Sequence, residues 1–198
     1  MCYGGVTTLY CSSDSSDIGA ITWSIVQDGI ILSTIELEAI GIHIDNNIIT
    51  EDNATATITI PGSDDTHGLI IACNAITTSF ELLHNSTTFI VTDIPPVTDL
   101  DVQFNSATLI ATWTAPSCLP VHYQYSVTVY SNDTMTNSIN TTNTQYTMPS
   151  VSSCVNYTIS VTVMDTGTEG HTSNTSNVTV ESPFTDEGIG ICPQYVCT

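Results

Sequence analysis

Apolar and polar residues alternate with period two along most of the chain, in short runs rich in Thr, Val, Ile and Tyr, and no window sustains a helical 3.6-residue period. The pattern predicts an all-β chain. Strands are expected at Val6 to Cys11, Ile21 to Val26, Thr55 to Ile60, Leu69 to Ala75, Thr87 to Val91, Ala107 to Trp113, Tyr123 to Tyr130, Asn156 to Met164 and Asn177 to Glu181. Gly, Pro, Asn and Asp separate them at the spacing of β-sandwiches. The segment Thr92-Asp93-Ile94-Pro95-Pro96-Val97 interrupts the pattern, because a proline pair cannot donate ladder hydrogen bonds and stiffens a connection. Two tandem β-sandwiches follow, at 1–94 and 95–182. Residues 183–198, beyond Ser182-Pro183, are too few for a domain and form a tail or the start of a further module.

Charge changes what such sandwiches could do. The 198 residues include 20 Asp and Glu and no Lys or Arg, for a formal charge of −20. Nucleic-acid binding and attraction to anionic headgroups rest on cationic side chains, so neither nucleic acid nor a membrane surface is an expected partner. Salt bridges are scarce too, because only five His and the amino terminus can be positive. Packing, backbone pairing and disulfides must hold the chain together. With 41% hydrophobic residues and scattered acids, an ordered core is expected rather than disorder.

Compartment is legible in two further counts. None of the 7 Cys forms a Cys-x-x-Cys pair, the spacing of common metal and redox motifs. Glycosylation sequons occur at Asn53, Asn85, Asn132, Asn140, Asn156, Asn174 and Asn177, roughly twice the number that this Ser- and Thr-rich composition gives by chance. The opening Met1-Cys2-Tyr3-Gly4-Gly5 has no basic or apolar leader region, and no stretch is apolar enough to span a bilayer. Together with the odd Cys count, these features predict an extracellular piece of a longer secreted or single-pass membrane protein.

In the first sandwich Cys11 ends an alternating strand, Trp23 lies within Ile21-Thr22-Trp23-Ser24-Ile25, and Cys73 closes Ile70-Ile71-Ala72-Cys73. This Cys, Trp, Cys order resembles the immunoglobulin superfamily. The resemblance implies a bridge between Cys11 and Cys73, from strands B and F, with the indole packed on it. Asn53 to Ile60 and the following Asp64-Asp65-Thr66-His67-Gly68 are similar to strand E and the turn into F, and Gly68 is placed as in the constant-like domains of nectin-type adhesion molecules. Ile71 stands where the family often has Tyr, and no Arg exists for the Arg to Asp bridge of variable-type domains. Strand A is expected to be truncated.

In the second sandwich Pro95-Pro96-Val97 opens a strand through Val102. Trp113 with Pro116, then Tyr125-Ser126-Val127, Tyr157-Thr158-Ile159, and Gly170 with Ser173 and Ser176 resemble, in that order, a fibronectin type III domain. The resemblance makes Trp113, Tyr125 and Tyr157 core residues, Tyr157 as a tyrosine corner bonded to the backbone upstream. It also places Cys118 and Cys154 at opposite poles, too far apart to pair directly. Cys192 or Cys197 could instead reach Cys154, or close a loop with each other, and one alternative leaves Cys2 and Cys118 with partners in missing sequence.

Candidate chemistry is sparse. His43, His67, His84, His122 and His171 all fall near turns or strand ends, without a nucleophile elbow, so no catalytic site is expected. Asp93, Asp99 and Asp101 could suggest calcium, but solvated strand residues explain them more simply. Cys192 and Cys197 lack further ligands for zinc, and no cofactor is expected. Leu100-Asp101-Val102 spells an integrin-recognised tripeptide but lies inside a strand. Glycans at Asn156, Asn174 and Asn177 would cover much of the second sandwich, leaving the first as the better binding surface. The expected function is protein binding by an adhesion or receptor ectodomain, with a protein ligand or a homophilic partner. The alternative is the ectodomain of a receptor-type tyrosine kinase or phosphatase whose catalytic domain lies elsewhere.

Overall fold

The computed structural model describes residues 1–13, 17–45, 48–50, 53–105, 107–152, 154–167, 170–182, 184–185 and 188–189. The chain divides into two compact units, Met1–Asp93 and Ile94–Thr198. Each is a sandwich of two antiparallel sheets, so the protein is all-β with two sandwiches in tandem.

The first unit contains β1 (Val6–Ser13), β2 (Ile18–Gln27), β3 (Ile30–Ile31), helix α1 (Thr34–Ala39), β4 (His43–Ile44), β5 (Ile48–Ile49), β6 (Ala54–Pro61), β7 (Ile70–Thr77) and β8 (Leu82–Thr88). One sheet runs β1-β6-β4, with β5 also on β6, and the other runs β3-β2-β7-β8. Alternation on β6 is strict: Ala54, Ala56, Ile58 and Ile60 are buried while the residues between them are partly exposed. This is the period of a sheet wetted on one face. Ile58 and Ile60 pack with Ile25, Ile71, Leu69, Phe89 and Val91 across the sandwich.

Cys11 on β1 and Cys73 on β7 are joined by a disulfide with Cα atoms 6.1 Å apart, linking the two sheets. Trp23 pairs with Cys73 across the β2–β7 ladder and packs against the cluster containing Cys11. Closing a loop of this length is worth roughly 4 kcal/mol in the loop-entropy account.

Several local features depart from the sequence expectation. The last strand of the first unit is Leu82–Thr88, not Thr87 to Val91. Phe89 and Val91 are buried, and Phe89 extends the backbone bonding past Thr88, its N–H donating to the Leu69 carbonyl and its carbonyl accepting from the Gly68 N–H, both at 2.8 Å. Helix α1 was not expected, being too short for a helical period to register. A local signal nevertheless exists in Ser33-x-x-Glu36. The Ser33 N–H donates to Glu36 Oε2 at 2.7 Å, and the Ser33 hydroxyl oxygen accepts from the Glu36 N–H at 3.4 Å. These bonds, backbone first, hold the Glu36 carboxyl below the usual carboxylate range. Before β1, Cys2 makes an isolated parallel bridge to Thr92. Gly62 permits this approach, since a Cβ there would run into the Cys2 carbonyl.

The second unit contains β9 (Thr98–Asn105), β10 (Thr108–Thr114), β11 (Tyr123–Ser131), β12 (Thr134–Thr141), β13 (Gln145–Pro149), β14 (Asn156–Asp165) and β15 (Ser176–Glu181), followed by the short pair β16 (Phe184–Thr185) and β17 (Gly188–Ile189). Its sheets are β13-β10-β9 and β12-β11-β14-β15. β12 and β13 were absent from the sequence reading. β12 reads Thr-Met-Thr-Asn-Ser-Ile-Asn-Thr and is almost wholly exposed, so it carries little apolar alternation.

Trp113, Tyr125 and Tyr157 are all buried. Trp113 and Tyr125 meet edge-on with ring centroids 5.4 Å apart. The Tyr157 hydroxyl accepts from the Ser152 N–H at 2.8 Å, which is the tyrosine corner. Cys2, Cys118 and Cys154 are each disulfide-bonded, which removes the alternative that Cys2 and Cys118 await partners in missing sequence. Cys192 and Cys197 lie outside the described residues.

Candidate binding face

The outer face of the β3-β2-β7-β8 sheet collects side chains that sequence periodicity assigns to no core. Ile21, Ile25, Ile71 and Ala75 point inward and are buried, so their neighbours on β2 and β7 point outward. The register sets these outward residues in rows. At one end Ile31, Val26, Ile70 and Thr88 stand side by side; at the other, Ala20, Ile76 and Leu82 do. Ile31 is 68% exposed, Leu82 63% and Ile70 44%.

Between the apolar ends lies a hydrogen-bonded strip spanning three strands. His84 on β8 contacts Asn74 Oδ1 on β7 through Nδ1 at 2.8 Å, and Asn74 Nδ2 donates to Ser24 Oγ on β2 at 2.9 Å. A carboxamide oxygen only accepts, so the His84 Nδ1–H is the donor in this contact. No Asp or Glu occupies these rows in a chain that has 20 of them. Apolar ends around a fixed polar centre can bury area and specify register together, as protein interfaces do.

The sequons divide between the units in a useful way. All seven acceptor asparagines are exposed. Asn85 pairs with inward-facing Cys73, so its side chain leaves β8 on the side opposite His84 and clear of the rows just described. Asn53 adjoins β6 in the other sheet, where its backbone bonds Thr50. In the second unit, Asn140, Asn156 and Asn177 point outward from one sheet, β12-β11-β14-β15, because the intervening Ile139, Tyr157 and Val178 face inward. Asn132 occupies the β11–β12 turn, and its side-chain oxygen accepts from the Asn156 N–H at 3.3 Å; Asn174 precedes β15.

The remaining candidates are dispersed. Of the five His, His43, His67, His84 and His122 are exposed and His171 is half-buried. No cluster of three or more metal-ligating side chains occurs among the described residues. Asp101 accepts from Gln103 Nε2 at 2.9 Å and Asp99 from the Thr98 hydroxyl at 3.2 Å. Val102 is buried and Leu100 half-buried, which removes the Leu-Asp-Val tripeptide from any exposed loop. Sequence reasoning singled out the first unit but not this face. Its only signal was the exclusion of acids from four neighbouring strands, and that requires the strand register to be seen.

No protein-family pattern matches the chain, and no curated protein matches it by sequence. Among solved structures, domains d3–d4 of the rat CD45 extracellular region match 50% of this chain at 10% identity, with a TM-score of 0.42. Domains A168–A170 of titin match 91% of it at 14% identity, with a TM-score of 0.38. The chain spans 56% and 60% of the lengths of those two structures.

Proposed function

We propose that this chain is part of an extracellular adhesion or receptor protein, with an immunoglobulin-like module followed by a fibronectin type III-like module, and that it acts by binding another protein rather than by catalysis. The inter-sheet disulfide, the further disulfide-bonded cysteines and a surplus of sequons support the extracellular setting, since such bridges persist in oxidising compartments. The strand order of each sandwich supports the module assignment, and the fold alone leaves the ligand open.

The observation that carries the binding role is the carboxylate-free face of β3-β2-β7-β8, with exposed Ile31, Ile70 and Leu82 around the His84-Asn74-Ser24 strip. Glycans on Asn140, Asn156 and Asn177 would cover the corresponding sheet of the second unit and direct partners to the first.

The test presents the glycosylated chain as a multivalent probe to a panel of cell types by flow cytometry. Wild type is expected to stain some cells, and staining is expected to vanish when the cells are first treated with trypsin. Ile70→Asp and Leu82→Asp are expected to weaken staining about tenfold or more while leaving the thermal midpoint near that of wild type. Staining that both variants retain in full, or none on any cell type, counts against the proposal.

A further inference from the structure

The carboxylates missing from the rows of the β3-β2-β7-β8 face stand around it instead. Asp28 and Gly29, at φ 51° and 82°, form the two-residue turn from β2 to β3, just beyond the row of Ile31, Val26, Ile70 and Thr88. Glu81 directly precedes Leu82 at the opposite end, where its carbonyl accepts from the Thr77 N–H and its N–H donates to Thr77 Oγ1, both at 2.9 Å. Asp17 lies at that same end, its carbonyl accepting from the Thr78 N–H at 2.6 Å. On the β3 side, Leu32 continues the pairing with Ile25 and the chain enters α1, where Glu36 and Glu38 are exposed.

Asp17, Asp28 and Glu81 are exposed too, and the chain has no Lys or Arg to neutralise any of these acids. The face is thus an apolar surface with a polar strip through its middle, bordered by negative charge at both ends and along β3. An isologous contact lays the same patch on itself, so a second copy would bring one carboxylate border against another. Like charges set against each other across an interface reject a partner, whereas opposite charges select it and speed encounter. Ile31, Ile70 and Leu82 call for apolar surface opposite them, and the border calls for cations around it.

We propose that this face binds a different protein, one whose docking surface has an apolar centre ringed by Lys and Arg, and that it does not bind a second copy of this chain. The proposal rests on the reading of β3-β2-β7-β8 as the binding face. Charges at the rim of an interface stay hydrated, so they act chiefly on the rate of encounter, while the apolar centre sets how long the complex lasts. Salt therefore slows association, and so does removal of the bordering acids.

The multivalent glycosylated chain serves as the probe, with the initial rate of cell staining read by flow cytometry in about 0.02 M NaCl made isotonic with sucrose and again in about 0.15 M NaCl. Wild-type staining is expected to be about threefold or more faster at the lower salt. Asp28→Gly with Glu81→Gln, in which Gly suits the positive φ of 51°, is expected to slow staining about threefold or more at low salt and to flatten the salt dependence. Its thermal midpoint is expected to be no lower than that of wild type, since the change removes negative charge from a chain of −20. Asp133→Gly with Glu181→Gln removes the same charge from the second unit, again with Gly at a positive φ of 64°, and is expected to stain nearly as wild type does. Sedimentation equilibrium of the monovalent chain is expected to show a monomer up to about 1 mM. Staining unaffected by salt and by the Asp28 and Glu81 changes, yet lost in Ile70→Asp, overturns the basic partner and leaves the binding face standing. Equal slowing by the control pair, or a dimer that Ile70→Asp abolishes, does the same. Staining retained in Ile70→Asp, or absent from every cell type, overturns the binding face and this inference with it.

Discussion

Tyr125 and Tyr157 lie in the same core, yet their hydroxyls differ in what they meet. Tyr157 accepts from the Ser152 N–H, whereas the buried Tyr125 hydroxyl has no hydrogen-bond partner among the described residues. Removing a paired hydroxyl strands its donor, while removing an unpaired one relieves a desolvation cost. Tyr157→Phe is therefore expected to lower unfolding free energy by about 1 kcal/mol, and Tyr125→Phe to lower it not at all, as measured by urea titration. Burial, and then repulsion from Tyr123, pushes the Tyr125 pKa up; burial raises Tyr146 also, against the lowering effect of the Asn137 hydrogen bond. A raised phenol pKa means the folded state resists ionisation. The resulting stability is intact below the unfolded value of about 10 and is lost as pH climbs from there toward the folded value. A thermal midpoint steady at neutral pH and falling above about pH 10 is expected, with a shallower fall in Tyr125→Phe.

Adjacent positions on one strand have opposite roles, because a strand turns successive side chains to opposite faces. Ile71 is 1% exposed and packs with Ile25, Ile58 and Ile60, while Ile70 beside it faces out. Ile71→Ala is expected to cost about 2–5 kcal/mol, and Ile70→Ala within about 0.5 kcal/mol, by denaturant titration. The same alternation explains where sequence reading worked. β6, β11 and β14 bury one face each and show period two clearly. Edge strands β8 and β12 are exposed on both faces, so nothing selects for alternation, and the first was misplaced while the second was missed.

Charge acts on the molecule as a whole. With −20 and no Lys or Arg, exposed charges almost only repel, and salt screens that repulsion with few ion pairs to weaken. The thermal midpoint is expected to rise between about 0.02 and about 0.5 M NaCl, as followed by circular dichroism. Trypsin cleaves after Lys and Arg, so it is expected to leave even the urea-unfolded chain intact on a gel, whereas a glutamate-specific protease should fragment it. The same composition explains why disulfides and apolar packing carry the structure.

The sequence by itself determined that the chain is all-β and that two sandwiches stand in tandem. Alternation, turn residues and a proline pair act locally and are written in neighbouring positions. It also held the residues of the inter-sheet bridge, the tyrosine corner and every sequon. Tertiary structure alone decided which side of each sheet is open, because that depends on register between strands far apart in the chain. His84, Asn74 and Ser24 become one strip only when β8, β7 and β2 align, and Asn85 clears that strip only because its partner Cys73 faces inward.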